Sequence, residues 1–303
     1  MRPLIDCDVL LYEIGFSSEK IETDENGEKV VVPSTWDFCQ DLFDKKIALI
    51  CDEVQATGPP LLFITNTHKV NKTLNKQRER QGEEPKEYVE NFRIEAAKEK
   101  EYKGGRKTTK PFHFTNLLHY VLASYDVHVN ETGLEADDAM VIMQYSAYKN
   151  GELNTIICSR DKDVRQCPGW HYSWECGGQA SIGPIMVDEL GELIHRNPGE
   201  KDSKGRAKPA KIFGTGAKFL YYQMLVGDAV DNIGGMKGRG PVFAYTLLKD
   251  AESVRQAYEL TAEVYVKAWG DDWKPKFREQ VDLLYMIKEV DGQGEKIKWR
   301  PPK

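Results

Sequence analysis

Short apolar runs alternate with longer segments of helical spacing through the first half of the chain. "PLID" (residues 3–6), "LLFIT" (61–65), "DVHVN" (126–130) and "NTIICS" (154–159) read as strands. Between the first two, Trp36, Phe38, Leu42, Phe43, Ile47, Ile50 and Val54 recur at helical spacing behind a Ser34/Thr35 cap. "FHFTNLLHYVLASY" (112–125) and the segment from Glu135 to about Tyr148 supply two more helices. This alternation predicts an α/β fold, a mostly parallel sheet flanked by helices. Residues 66–110 break the pattern: they are highly charged and poor in apolar positions, which predicts a solvated helical excursion or arch. Residues 181–211 open as a hairpin, "GPIMVDELGELIHR", and pass into a Gly/Lys/Pro-rich loop. A boundary near residue 180 gives a domain over 1–180 and a second over 181–303, helical to about residue 290, with no internal repeat.

Composition agrees with a soluble globular chain: 303 residues, 40% hydrophobic and 30% charged, enough for one large or two moderate domains. No apolar run approaches the ~20 residues of a membrane span, and aspartates interrupt "MRPLIDCDVLLY", so an intracellular, cytoplasmic protein is expected. Six cysteines without a CxxC pair argue against zinc and against a disulfide framework; reduced packing thiols are expected. The net charge of −6 argues against nucleic-acid binding when taken alone. Its distribution reverses that: residues 68–110 hold thirteen Lys/Arg and eight Asp/Glu, so this segment carries +5 and the rest of the chain −11. A monomer is expected, since no heptad seam is present.

The acids fall where the strands end. Asp6 and Asp8 follow the first strand, Glu135, Asp137 and Asp138 open the helix after "DVHVN", and Asp161 and Asp163 follow "NTIICS". Asp228 and Asp231 in "GDAVDN", three residues apart, are expected on one helical face. Taken singly, each is an ordinary cap or turn residue. Together they gather at the carboxyl edge of a parallel sheet, where ligands bind in such folds. Crowded carboxylates repel one another and resist burial. Hard divalent cations, Mg²⁺ or Mn²⁺, would compensate them, and two ions ~3.5–4 Å apart suit phosphodiester hydrolysis.

"GGMKGRGPVFAYTLL" (234–248) feeds a glycine-rich turn into an apolar helix, with Ala244 and Leu247 as its expected packing face. In this turn, headed by Gly234 and Gly235, Gly238 and Gly240 permit close backbone approach to phosphate, Lys237 and Arg239 supply charge, and Pro241 suits the first helical turn. In "EYKGGRK", Lys103 and Arg106 are candidates to stabilise developing charge on a phosphate, and Tyr102 to stack on a base.

The order "LIDCD", "LEADD", "SRDKD", "GDAVDNIGGMKGRG" resembles the flap-endonuclease superfamily of 5′ nucleases, which includes the 5′ nuclease domain of bacterial DNA polymerase I and stand-alone bacteriophage exonucleases. The resemblance spans roughly residues 2–250, and is greatest to short-tailed-phage exonucleases, which share "YKxxRK" and a terminal "WRP". It implies a Rossmann-like sheet, a helical arch over 66–110 and a C-terminal helix-three-turn-helix. The implied activity is two-metal hydrolysis of DNA from duplex 5′ ends and flaps, with removal of RNA from RNA/DNA hybrids, in a bacterial host cytoplasm. By motif, Asp6, Glu135, Asp137 and Asp138 would serve the first ion, and Asp161, Asp163, Asp228 and Asp231 the second. Lys103 and Arg106 match the arch, and Gly234–Ala244 the helix-three-turn-helix, which in relatives often holds K⁺. Asn66 stands where the family has an aspartate, Cys7 where it has glycine, and Arg239 where it has an apolar residue. A non-catalytic branched-DNA-binding homologue and a PIN-like ribonuclease are the alternative expectations.

Overall fold

The computed structural model describes residues 1–105 and 109–303. The described residues form two compact units: residues 1–90, 109–162 and 170–185, and residues 91–105, 163–169 and 186–303.

The first unit is built on a six-stranded sheet. Its strands, in chain order, are β1 (Arg2–Asp6), β4 (Leu61–Thr65), β5 (Val127–Asn130), β6 (Thr155–Cys158), β7 (Gly169–Ser173) and β8 (Ile182–Val187), arranged as β5-β4-β1-β6-β7-β8. A separate exposed ribbon pairs β2 (Glu19–Thr23) with β3 (Lys29–Pro33). Pairing is parallel from β5 through β7, so β1, β4, β5 and β6 present their carboxyl ends along one edge. Both faces of the sheet are covered, which explains why its strands read as unbroken apolar runs rather than as alternation. Ile5, Leu62, Ile64 and Cys158 join a core with α1 (Cys7–Ser17), α2 (Trp36–Glu53) and α5 (Phe114–Ser124). On α6 (Ala136–Lys149), which packs along β1, β4 and β6, Met140 and Val141 are fully buried. Thr35 caps α2 by accepting from the Phe38 amide, as its position ahead of the apolar stripe predicts.

The charged excursion carries two helices, α3 (His68–Gln81) and α4 (Phe92–Ala96), the first in the first unit and the second in the other. The second unit is mainly helical: α7 (Gly216–Val226), α8 (Pro241–Leu248), α9 (Val254–Trp269) and α10 (Trp273–Leu284). Buried on every side, α7 is the axis of this core, and Trp299 closes it against Tyr258 and Phe277. No helix of the described residues is long and apolar enough to cross a membrane.

Two local expectations are corrected. The hairpin expected over "GPIMVDELGELIHR" does not form: β8 joins the large sheet, while β9 (Leu193–His195) pairs antiparallel with β10 (Ile212–Gly214). Thr215 fixes that pairing, its hydroxyl accepting from the Glu192 amide and its own amide donating to the Glu192 carbonyl. On α8, Ala244 is buried in the core and half-buried Leu247 packs against it, as the sequence predicts, with Leu248 buried beside them. Asp228 and Asp231 share no helix: α7 ends at Gly227, whose φ is 75°, and a tight turn follows, closed by a bridge between Asp228 and Ile233.

Candidate nuclease site

In the first unit the carboxyl edge of the sheet gathers Asp6, Asp8, Asn66, Glu135, Asp137, Asp138 and Asp161 onto loops and helix starts that follow β1, β4, β5 and β6. Asp6 ends β1 and caps α1: its Oδ1 accepts from the Val9 amide at 3.3 Å and its Oδ2 from the Ser159 hydroxyl at 2.7 Å. Ser159 in turn accepts from the Asp161 amide at 2.9 Å, so the loops after β1 and β6 are joined through one hydroxyl. Asp8 accepts from the Thr65 amide at 3.1 Å, and the Thr65 hydroxyl accepts from the Ala136 amide at 2.9 Å. Thr65 thereby ties the end of β4 to α1 on one side and to the start of α6 on the other. Glu135 is the N-cap of α6, and fully buried Asp138, at the third helical position, accepts from the Glu135 amide at 3.4 Å.

Burial pushes the Asp6 carboxyl up to about 7; neighbouring Asp8 and then Asp161 push in the same direction, against the lowering effect of the Ser159 and Val9 bonds. At Asp6, burial and the two neighbouring carboxylates therefore outweigh the two bonds that favour its ionised form. Asn66, 6% exposed, has neither its amide oxygen nor its amide nitrogen bonded to protein. An orphaned buried amide at the edge where the acids collect fits an all-oxygen site for a hard cation and its waters. Among the described residues, no three His, Cys, Asp or Glu side chains stand together as a ready metal cluster.

In the second unit, Asp163 accepts from the buried Gln223 amide at 2.7 Å, and Gln223 accepts from Gln166, which also donates to the Leu284 carbonyl. Asp228 is buried and accepts from the Val230 amide at 2.9 Å. Asp231 accepts from the Tyr102 hydroxyl at 3.3 Å, and its carbonyl from the Lys103 amide at 3.0 Å. Lys103 itself is held at a φ of 57°, with its ammonium 5.0 Å from the Tyr102 ring centre. The structure thus couples the "EYK" motif to "GDAVDN" and engages both ends of Tyr102. Arg106 lies outside the described residues.

The turn between α7 and α8 separates its glycines by function. A side chain at Gly235 would begin 2.2 Å from the Val226 carbonyl oxygen, so the chain's own packing requires this glycine. Gly238 and Gly240 face open space, and Gly240 precedes Pro241 at the N-terminus of α8. Lys237 is exposed, and the Arg239 guanidinium lies 4.5 Å from the Phe243 ring centre. The described cysteines are all free thiols.

Ser159, Thr65 and Gln223 escape sequence reasoning. Only the polar residue closing an apolar strand, Thr65 in "LLFIT" and Ser159 in "NTIICS", offers a signal.

No protein-family model matches the chain. Two curated relatives do, both DNA polymerase I. That of Bacillus subtilis strain 168 is 29% identical over 194 residues, 63% of this chain and 20% of the relative. That of Deinococcus radiodurans is 29% identical over 162 residues, 52% and 14% respectively. The matches thus span a fifth or less of these relatives. Among solved structures, T5 D15 protein co-crystallised with metal ions aligns at a TM-score of 0.49 and 13% identity, covering 92% of this chain and 87% of that one. Bacteriophage T5 flap endonuclease, in a complex with DNA and metal ions, aligns at 0.44 and 11%, covering 93% and 98%. In its ordered motifs and its curated relatives, the chain resembles the flap-endonuclease and 5′–3′ exonuclease superfamily.

Proposed function

We propose that this chain is a divalent-metal-dependent DNA nuclease that hydrolyses phosphodiester bonds at duplex 5′ ends and flaps, and removes RNA from RNA/DNA hybrids. The observation that carries the reading is the set of acids brought to the carboxyl edge of the parallel sheet and joined through Ser159 and Thr65, with the Asp6 carboxyl held above its ordinary value by burial and neighbouring Asp8. Asp6, Glu135, Asp137 and Asp138, with Asp161, are the carboxylates offered by the first unit, and Asn66 adds a neutral oxygen. The second unit offers Asp163, Asp228 and Asp231. Bound Mg²⁺ or Mn²⁺, as two ions, would lower the pKa of water and neutralise charge on the phosphate oxygens.

The remaining work falls to the chain's own groups. Lys103, carried next to Asp231, would donate to a phosphate oxygen, with Arg106 as its partner in the same motif. Gly234, Gly238 and Gly240, with Lys237 and Arg239, would grip the duplex backbone without reading bases, and their carbonyls are candidates for K⁺. The protein would act as a cytoplasmic monomer.

Asp161→Asn tests the reading. Turnover of 5′-labelled duplex in Mg²⁺ should vanish, and calorimetry should show reduced ion affinity, while DNA binding without divalent ions persists. Wild-type digestion by this variant would refute the assignment. Asn66, a neutral amide where the resembled family has an aspartate, favours a second reading, a non-catalytic binder of branched DNA. It requires flap binding with no product at any Mg²⁺ or Mn²⁺ concentration.

A further inference from the structure

Wholly within the second unit lies a cavity of about 650 Å³, walled by α4 and the residues after it, by α10, and by the extended C-terminal segment. Its charges divide into committed and uncommitted groups. Glu99 pairs with Lys276 at 2.5 Å, Asp282 pairs with Arg278 at 2.7 Å, and Glu279 accepts the Lys98 and Glu99 amides at 2.8 and 2.9 Å. Among the described residues no carboxylate pairs with Lys98, Lys296 or Lys298; Glu95 and Glu279, the latter bonded to backbone amides alone, are the two acids of the lining outside its ion pairs, so these three cations leave the cavity with net positive charge.

The C-terminal segment is arranged to present such charge. Around Trp299, which is buried in the core, Lys298 and Arg300 are exposed, and Lys296 lies over the Phe92 ring at 5.1 Å. Lys296 and Lys298 both line the cavity, while Trp299 between Lys298 and Arg300 turns into the core. Arg278 fixes the segment by donating to the Trp299 carbonyl at 3.0 Å.

This wall is continuous with the glycine turn. Gln280 of α10 donates to the Gly234 carbonyl at 2.9 Å, and the Lys100 ammonium lies 3.6 Å from where a Gly234 side chain would begin. Lys276 and Gln280 are one helical turn apart, about 6 Å along α10. Lys100 thus stands at the glycine turn, and Gln280 ties that turn to the helix that walls the cavity.

We propose that the cavity is a second phosphate-contact surface, in which Lys98, Lys296 and Lys298 hold the sugar-phosphate backbone of the duplex that the glycine turn grips. The inference rests on the nucleic-acid reading of that turn and extends it to residues outside the motifs. Such contacts act through charge and counterion release, so they are indifferent to sequence.

The test is binding of a fluorescent flap duplex, without divalent ions, by anisotropy across a salt series. Three proteins are compared with wild type: Lys98→Gln/Lys296→Gln/Lys298→Gln, the same positions changed to Arg, and Lys237→Gln/Arg239→Gln. Glutamine keeps most of each stem, so packing on Phe92 survives. The Gln triple should lose affinity on the order of 10- to 100-fold near 0.1 M salt, with the log–log salt slope shallower by about two to three. The Arg triple should retain both. An unchanged slope in the Gln triple, with binding weakened in the turn variant, would overturn this surface while leaving the nucleic-acid reading intact. Failure of the wild-type protein to bind would overturn that reading instead.

Discussion

Glu131 decides whether the charged excursion is held to the sheet. It follows β5 and is 19% exposed, and it accepts from Arg78 of α3 and from Lys86 at 2.5 Å. Burial alone would raise its pKa, but the bonds and charges of Lys86 and Arg78 outweigh burial and hold the carboxyl below its ordinary value. Glu131→Ala removes both bonds. The Arg78 side chain is 15% exposed, so its bond counts as a charge-assisted, partly buried one of about 1.5–3 kcal/mol. Lys86 is 60% exposed, and its share lies within the ~0–1 kcal/mol of surface pairs. The sum, about 1.5–4 kcal/mol, corresponds to a fall in melting temperature of roughly 3–16 °C for a unit of this size. A carboxyl whose folded pKa is depressed stabilises fully above its unfolded value of ~4.3 and loses that contribution as pH falls through the folded value. Thermal unfolding by circular dichroism should therefore separate the two proteins at pH 7 and bring them together in acid. A difference below ~2 °C at pH 7, or one that persists unchanged in acid, would refute the clamp.

Gly133, at a φ of 74°, steers the chain into the acidic start of α6, and a side chain there would begin 2.4 Å from the Glu90 carbonyl oxygen; Gly133→Ala should cost about 2–4 kcal/mol in urea unfolding. Trp299→Ala empties an aromatic cluster with Tyr258 and Phe277 and should cost about 3–5 kcal/mol, read as early loss of near-ultraviolet dichroism. Asn66→Asp adds a charge at the orphaned amide and should tighten Mg²⁺ or Mn²⁺ binding by calorimetry roughly tenfold, about 1.4 kcal/mol; unchanged affinity would place Asn66 outside the ion's reach.

The strands β1, β4, β5 and β6 were legible because a sheet covered on both faces writes itself as apolar runs, and α2 because Thr35 stands one residue ahead of its stripe. The ribbon of β2 and β3 carried no comparable pattern: Ile21 and Val31 pair across it yet are 72% and 58% exposed, so no buried face imposed alternation. Its signal lay in the turn, where Asp24 accepts from the Asn26 and Glu28 amides and Gly27 takes a φ of 82°. Asp228 and Asp231 were misplaced because a spacing of three suits a helix and also a turn. Gly227 and Asn232, both at positive φ, decide for the turn. Ser159 and Gln223 orient Asp6 and Asp163 from 153 and 60 residues away, contacts that no local window contains.

Asp6 is a cap and a candidate ligand at once, and the two roles are physically separable. As a cap it needs only an acceptor for the Val9 amide, a service that asparagine performs about as well as aspartate. A structural role therefore gives no reason to place a charge at a 2% exposed position beside Asp8 and Asp161, where that charge is opposed by burial and repulsion together. Two bonded oxygens do not exhaust a carboxylate, which accepts at about four lone-pair positions. Capping explains why the Asp6 side chain sits where it does. It does not explain why that side chain is an acid, whose charge burial, Asp8 and Asp161 all oppose, and the proposed divalent ion would answer that opposition.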